Sequence, residues 1–241
     1  MLLRFFEKIA FLLCLLFQGL YVKWRIIKLP EAPGKRTGTD GDMSKPEISL
    51  LIMGDSAAAG VGAEHQNNAL LGNMVDLLSQ EYRVNWRLWA KIGETTASKL
   101  KILSNFDEPY DYVVVSLGVN DITTPIRQAT WQKQQTDLIA LLQQRGQPRK
   151  IILSSLPPIQ EFFALPNPLR YLLARRAQRF TASLKSAVRD NSSVVVLDLP
   201  ALGGAELAMA SDGFHPGPAV YQAWASAATE IIFNDLNSSS T

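Results

Sequence analysis

Four short blocks hold residues whose types and spacing could carry out acyl transfer: Gly54-Asp55-Ser56, Ile92-Gly93-Glu94, Gly118-Val119-Asn120-Asp121 and Asp212-Gly213-Phe214-His215-Pro216. A serine hydroxyl is a weak nucleophile at neutral pH and needs an adjacent base. A histidine can take its proton, and a carboxylate can hold the imidazole in the right tautomer and stabilise the imidazolium that forms. Asp212 lies three residues before His215, close enough to reach the ring nitrogen that faces away from Ser56. An anionic tetrahedral intermediate also needs donors fixed in advance, and the backbone N–H groups of Ser56 and Gly93 and the Asn120 side-chain amide are candidates. Taken singly, each block also reads as an ordinary turn, a helix cap or a surface loop. What separates them from turns is joint occurrence, in order, each just beyond a different predicted strand.

Those strands are read from short apolar or β-branched runs at 48–53, 84–90, 112–117, 151–156 and 194–199. Helical patterns at 69–81, 95–105, 128–144, 168–189 and 218–236 alternate with them. Successive βα units predict a doubly wound α/β sheet, five-stranded and mostly parallel, and the near-continuous apolar strands suit a sheet covered on both faces. In such sheets ligands bind outside the carboxyl ends of the strands, where the four blocks fall. The small Ala57–Ala59 run is expected to let a helix begin close behind Ser56, with its positive dipole end toward the site.

With the four blocks in place, the chain resembles the SGNH/GDSL hydrolase family, matched by Gly54-Asp55-Ser56, Gly93, Gly118-x-Asn120-Asp121 and Asp212-x-x-His215. The resemblance covers about residues 47–236. It implies a flavodoxin-like three-layer α/β/α sandwich and metal-free, cofactor-free ester hydrolysis. By that likeness Ser56 is the nucleophile, His215 the base, Asp212 the residue that orients it, and Gly93 and Asn120 donate to the oxyanion together with Ser56. After Ser56 the sequence runs Ala-Ala-Ala-Gly instead of the Leu-containing form behind the family's second name, which removes a clue to substrate. Acyl esters are the expected substrates. An O-acetyl group on a glycan, a thioester, or an idle binding module anchored at a membrane are the alternatives.

Other chemistries fit poorly. Gly60-Val61-Gly62 imitates a dinucleotide fingerprint but lacks its third glycine. Ala58 stands where a nucleophile elbow of the Gly-x-Ser-x-Gly type needs glycine. The two histidines are far apart and the one cysteine sits in an apolar run, so no metal-ligand spacing exists; His65 is assigned no role.

The composition, 47% hydrophobic and 19% charged over 241 residues, excludes a disordered chain and a polytopic membrane protein. The net charge of +2 is unevenly placed. Residues 1–46 carry eight Lys/Arg against four Asp/Glu, and the remainder is slightly acidic, which argues against a nucleic-acid-binding domain. The apolar run 9–22 is flanked by Arg4, Lys8, Lys23, Arg25 and Lys28, with Tyr21 and Trp24 at its end. At about 1.5 Å per residue a 14-residue helix falls short of the roughly 30 Å hydrocarbon core. No small-residue cleavage site follows it, so residues 1–28 are expected to form an uncleaved membrane anchor, spanning or interfacial, with packing against the domain as the competing reading. The basic residues after the run favour a cytoplasmic domain, whereas a short signal anchor would place it outside. Residues 29–46, rich in Pro, Gly and charge, read as a linker, 47–236 as the hydrolase domain and 237–241 as a polar tail. The apolar segment 157–173, which includes Phe162, Phe163 and Leu165, follows the fourth strand and is expected to form either a substrate pocket or lid, or core covering the sheet edge.

Overall fold

Alternation along the strands sorts the apolar side chains onto two faces of one sheet. In the computed structural model, which describes residues 2–103, 107–199 and 209–238, the elements in chain order are α1 (Leu2–Arg25), β1 (Thr37–Asp40), β2 (Glu47–Gly54), α2 (Leu70–Leu78), β3 (Arg83–Ala90) and α3 (Thr96–Leu103). They continue with β4 (Tyr112–Ser116), a single turn α4 (Val119–Ile122), α5 (Gln128–Gly146), β5 (Lys150–Ser154), α6 (Leu169–Val188), β6 (Val194–Leu197) and α7 (Pro218–Ser238). Leu51, Met53, Val113, Val115, Ile151 and Leu153 point to one side, where they pack on α5 and α6 through Trp131, Leu138, Phe180 and Leu184. Leu50, Ile52, Tyr112, Val114 and Ile152 point to the other and meet α2 and α7 through Leu70, Met74, Tyr221 and Trp224. This is the period-two alternation of a strand covered on both faces, and it yields the expected three layers.

The sheet has six strands in the order β1-β3-β2-β4-β5-β6. From β3 to β6 all pairings are parallel, with β2 between β3 and β4. The chain steps from β2 out to β3 on one side and then to β4 on the other, so the direction of winding reverses at the carboxyl end of β2. That reversal opens the crevice in which doubly wound folds bind ligands.

Three differences from the sequence reading have physical causes. The sixth strand, β1, lies in the segment read as a linker and pairs antiparallel with the edge of β3. Its Thr-Gly-Thr-Asp sequence has no apolar alternation to announce it, because it is an edge strand that is mostly exposed. Backbone pairing and the Trp86 Nε1–H donated to Asp40 (2.6 Å) hold it. The rest of that segment is also fastened: Ala32 is buried, and Gln66 Nε2 donates to the carbonyls of Ala32 (3.0 Å) and Ala59 (2.9 Å). Second, no regular helix follows Ser56; residues 56–62 form consecutive turns. They contain Gly60 and Gly62, both at positive φ, and a Cβ on Gly62 would lie 2.4 Å from the Pro216 carbonyl oxygen. Of the glycines that imitate a dinucleotide fingerprint, Gly62 thus allows close packing against the loop after His215, and Gly60 packs against Ala32 and Ala69. Third, α7 runs on to Ser238, into the expected polar tail; residues 239–241, like the end (104–105) of the helix predicted at 95–105, lie outside the described residues.

Helix α1 stands largely apart. Leu15, Gln18, Val22 and Ile26 are half-buried on one stripe, whereas Leu12, Leu16, Phe17 and Leu20 are each more than half exposed. Val22 packs against the core, and Gln18 donates through Nε2 to the Asn167 carbonyl (2.6 Å) and accepts from the Leu169 N–H (3.0 Å) at the start of α6. Among the described residues, no helix is long and apolar enough to cross a membrane.

Candidate active site

Strand β2 ends at Gly54, and the turn that follows places Ser56 at the winding reversal. The neighbouring Asp55 N–H donates to the Ser116 carbonyl at the end of β4 (3.0 Å), which ties the turn to the next strand. Residues 209–216 form a tight loop closed by a bridge between Met209 and Pro216 and by the Ala210 N–H on the His215 carbonyl (2.8 Å). Within it Asp212 Oδ1 accepts from the N–H groups of both Phe214 and His215, each at 3.0 Å, an Asx turn that fixes the carboxylate. Its Oδ2 is 2.6 Å from His215 Nδ1, and His215 Nε2 is 2.9 Å from Ser56 Oγ. Serine, imidazole and carboxylate, 159 positions apart at their widest hydrogen bond, thus form one connected chain.

Burial alone would push the Asp212 carboxyl up, but the His215 ring and the two backbone donors outweigh it and hold the group below the usual range. It is therefore a carboxylate at neutral pH, able to accept from imidazole Nδ1–H and to stabilise an imidazolium. Phe214 meets the His215 ring edge-on at 5.2 Å, and Phe162 meets Phe214 in the same way at 5.2 Å, so the imidazole is also braced by aromatic contact.

The candidate oxyanion donors converge less completely. Gly93 sits in an exposed turn at φ 81°, a left-handed conformation that favours glycine. Neither its N–H nor that of Ser56 donates to a protein acceptor among the described residues. The Asn120 amide is engaged: Nδ2 donates to the Glu94 carbonyl (2.9 Å) and lies 3.3 Å from Asp55 Oδ2. Asp121, the last residue of the third block, points away from the site, where it accepts from the Thr96 N–H (3.1 Å) and hydroxyl (3.0 Å) and so caps α3.

An apolar hollow opens beside Ser56 and His215, walled by Leu117, Leu156, Pro157, Phe162, Met209 and Trp224. Of the three residues singled out in the segment after the fourth strand, Phe162 lines this hollow. Phe163 does not; it lies across Gly213, 46% exposed, facing the end of α1. Leu165 is buried in the core against α6, so this part of the segment covers the sheet edge. No group of three metal-ligating side chains occurs among the described residues.

Sequence reasoning missed the residues that hold the Gly93 turn. Lys99, fully buried on α3, pairs with the Glu94 carboxylate, donates to the Trp89 carbonyl (3.0 Å) and lies 4.9 Å from the Trp89 ring centroid. Glu31, in the segment read as a linker, accepts from the Ile92 N–H (2.8 Å) and pairs with Arg36. The only available signal was a lysine at an inward position of α3. Nothing in the local pattern around Glu31 marks it, because its partner is 61 residues away.

Comparison with known proteins bears on the family and the fold. A GDSL-like esterase of Mycobacterium tuberculosis is 25% identical over 207 residues, covering 81% of this chain; the chain spans 63% of that relative's length. Among solved structures, the esterase EstA from a Pseudoalteromonas species superposes with a TM-score of 0.61 at 20% identity, covering 79% of this chain and 99% of that one. The acetylxylan esterase Axe2 from Geobacillus stearothermophilus gives 0.59 at 19% identity, with 76% and 93% covered. These two likenesses concern the fold. Residues 52–223 match the family described as GDSL-like Lipase/Acylhydrolase, which takes in Ser56, Gly93, Asn120, Asp212 and His215, and the chain belongs to that family.

Proposed function

We propose that this protein hydrolyses acyl esters with Ser56 as nucleophile, His215 as general base and acid, and Asp212 as the residue that orients the imidazole. The observation that carries this reading is the unbroken hydrogen-bonded chain from Ser56 Oγ through His215 to Asp212, set at the winding reversal beside an apolar hollow. His215 Nε2 takes the Ser56 proton as Oγ bonds to the ester carbonyl carbon, and the proton then passes to the departing alcohol. Water, deprotonated by the same imidazole, cleaves the acyl-serine and restores the serine hydroxyl. The N–H groups of Ser56 and Gly93 and the Asn120 amide stabilise the oxyanion. For Asn120 this requires the longer of its two contacts, the one to Asp55, to yield to substrate. The hollow receives the acyl chain, with Phe162 as part of its wall.

Ser56→Ala and His215→Ala test the assignment with a short-chain aryl ester. Each is expected to lower kcat by about 10⁴-fold or more. Unchanged hydrolysis in both would remove the triad reading.

A second reading concerns location. We propose that α1 associates with a lipid membrane. Its exposed Phe11, Leu12, Leu16, Phe17 and Leu20 form an apolar surface without protein cover in the described structure, and Trp24, 83% exposed, stands between Lys23 and Arg25. Aromatic and cationic residues at the end of an apolar helix suit the headgroup layer.

A further inference from the structure

Helix α6 carries Arg170, Arg175, Arg176, Arg179 and Lys185 and no acidic residue. Lys185 pairs with Asp198. Among the described residues, no ion pair reaches Arg175, Arg176 or Arg179. These three line a shallow groove between α6 and the start of α5, floored by Leu172, Ile126 and Phe180. Arg176 is drawn into it: its guanidinium lies 5.0 Å from the Phe180 ring centroid, one nitrogen donates to the Ile126 carbonyl, and Nε is buried with no hydrogen-bond partner. A partly desolvated guanidinium without a countercharge is costly, so the groove is complementary to an anion. Arg175 stacks 5.8 Å from the Tyr171 ring centroid, and Tyr171 and Leu172 are 57% and 36% exposed, so apolar surface adjoins the cationic groove. Gln18 fastens α1 to the first turn of α6, and Arg175–Arg179 begin about 9 Å along the helix from that junction.

We propose that the Arg175–Arg176–Arg179 face of α6 is a docking surface for the phosphate headgroups of an anionic phospholipid bilayer, engaged together with α1. The inference deepens the membrane reading above and rests on it. Charge complementarity argues for this occupant. Guanidinium groups bind phosphate by paired hydrogen bonds, and the exposed aromatic and aliphatic neighbours suit the boundary between headgroup and acyl chain. A bilayer contacted at both elements would hold the domain by two signals where one apolar helix gives one.

The test is binding of the full chain to phosphatidylcholine vesicles and to mixed phosphatidylcholine–phosphatidylglycerol vesicles, with Arg175→Gln/Arg179→Gln as the variant. Both positions are exposed and outside the catalytic machinery, so hydrolysis of a soluble aryl ester is expected to be unchanged. The unaltered chain is expected to bind both vesicles, the anionic ones more tightly, with the difference abolished at high salt. The variant is expected to keep its affinity for neutral vesicles and to lose roughly 30-fold on anionic ones. Equal affinity for both vesicles in the unaltered chain, or a full anionic preference in the variant, overturns the inference and leaves the α1 reading standing. Failure of the unaltered chain to bind either vesicle overturns both.

Discussion

Asp55, next to the proposed nucleophile Ser56, is the residue whose chemistry differs most from its place in the motif. Burial, the dominant effect, drives its carboxyl up to about 7, against the opposing Ala57 N–H and the nearby His215. The native state therefore keeps a proton that the unfolded chain releases near pH 4, so stability falls as pH rises between about 4 and 7 and levels off above. Asp55→Asn is expected to remove this component. In denaturant titrations the stability difference should move in the variant's favour from about pH 5 to about pH 8, and a constant difference would contradict the assignment. Asp212 runs the other way: its lowered carboxyl contributes stability that is lost only as pH falls through the acid range. At this scale the sequence was informative for Ser56, Asp212 and His215, because nucleophile, base and carboxylate have few chemical substitutes. For Lys99 it offered no more than an inward helix position, because the buried pairing with Glu94 is a matter of tertiary contact.

Among the elements, those most legible in the sequence are the ones rich in core-forming apolar residues, β2, β4, β5, α2 and α7. The least legible is β1, a four-residue edge strand made of threonine, glycine and aspartate. Its neighbourhood reaches the site: Arg36 donates to the Ala90 carbonyl (2.7 Å) at the end of β3, and Glu31 holds the N–H of Ile92, one residue before Gly93. The N-terminal segment is thus a brace for the turn that carries Gly93, the proposed oxyanion donor. Glu31→Ala removes an acceptor from a backbone donor and a partner from Arg36, and about 1 kcal/mol of stability is expected to go with it. If Gly93 donates to the oxyanion as proposed, turnover is expected to fall more than affinity, since such a donor is needed most in the transition state. Steady-state kinetics on a soluble ester, read beside a denaturation midpoint, separates the two. A change in KM alone would assign Glu31 to substrate binding.

On the scale of the whole molecule, charge and apolar surface are divided between two tasks. The sheet and its helices bring four sequence blocks to one crevice, while α1 and the cationic face of α6 stand outside the core. The net charge of +2 conceals this division, because basic residues cluster near α1 and on α6 while the rest of the chain carries 11 Lys/Arg against 18 Asp/Glu. Fold class follows from βα alternation, and the crevice lies where the observed strand order reverses the winding. The route of the N-terminal segment along the sheet edge depends on partners far away in sequence, and local pattern does not encode it. The central claim is that Ser56 is an activated nucleophile. Reaction of the full chain with an ester-like phosphonate, followed by peptide mass analysis, tests it most directly. The account predicts a single covalent adduct on Ser56, formed in step with loss of ester hydrolysis and absent from the His215→Ala protein. Complete loss of hydrolysis with the adduct on another residue, or hydrolysis that survives full labelling of Ser56, would contradict it.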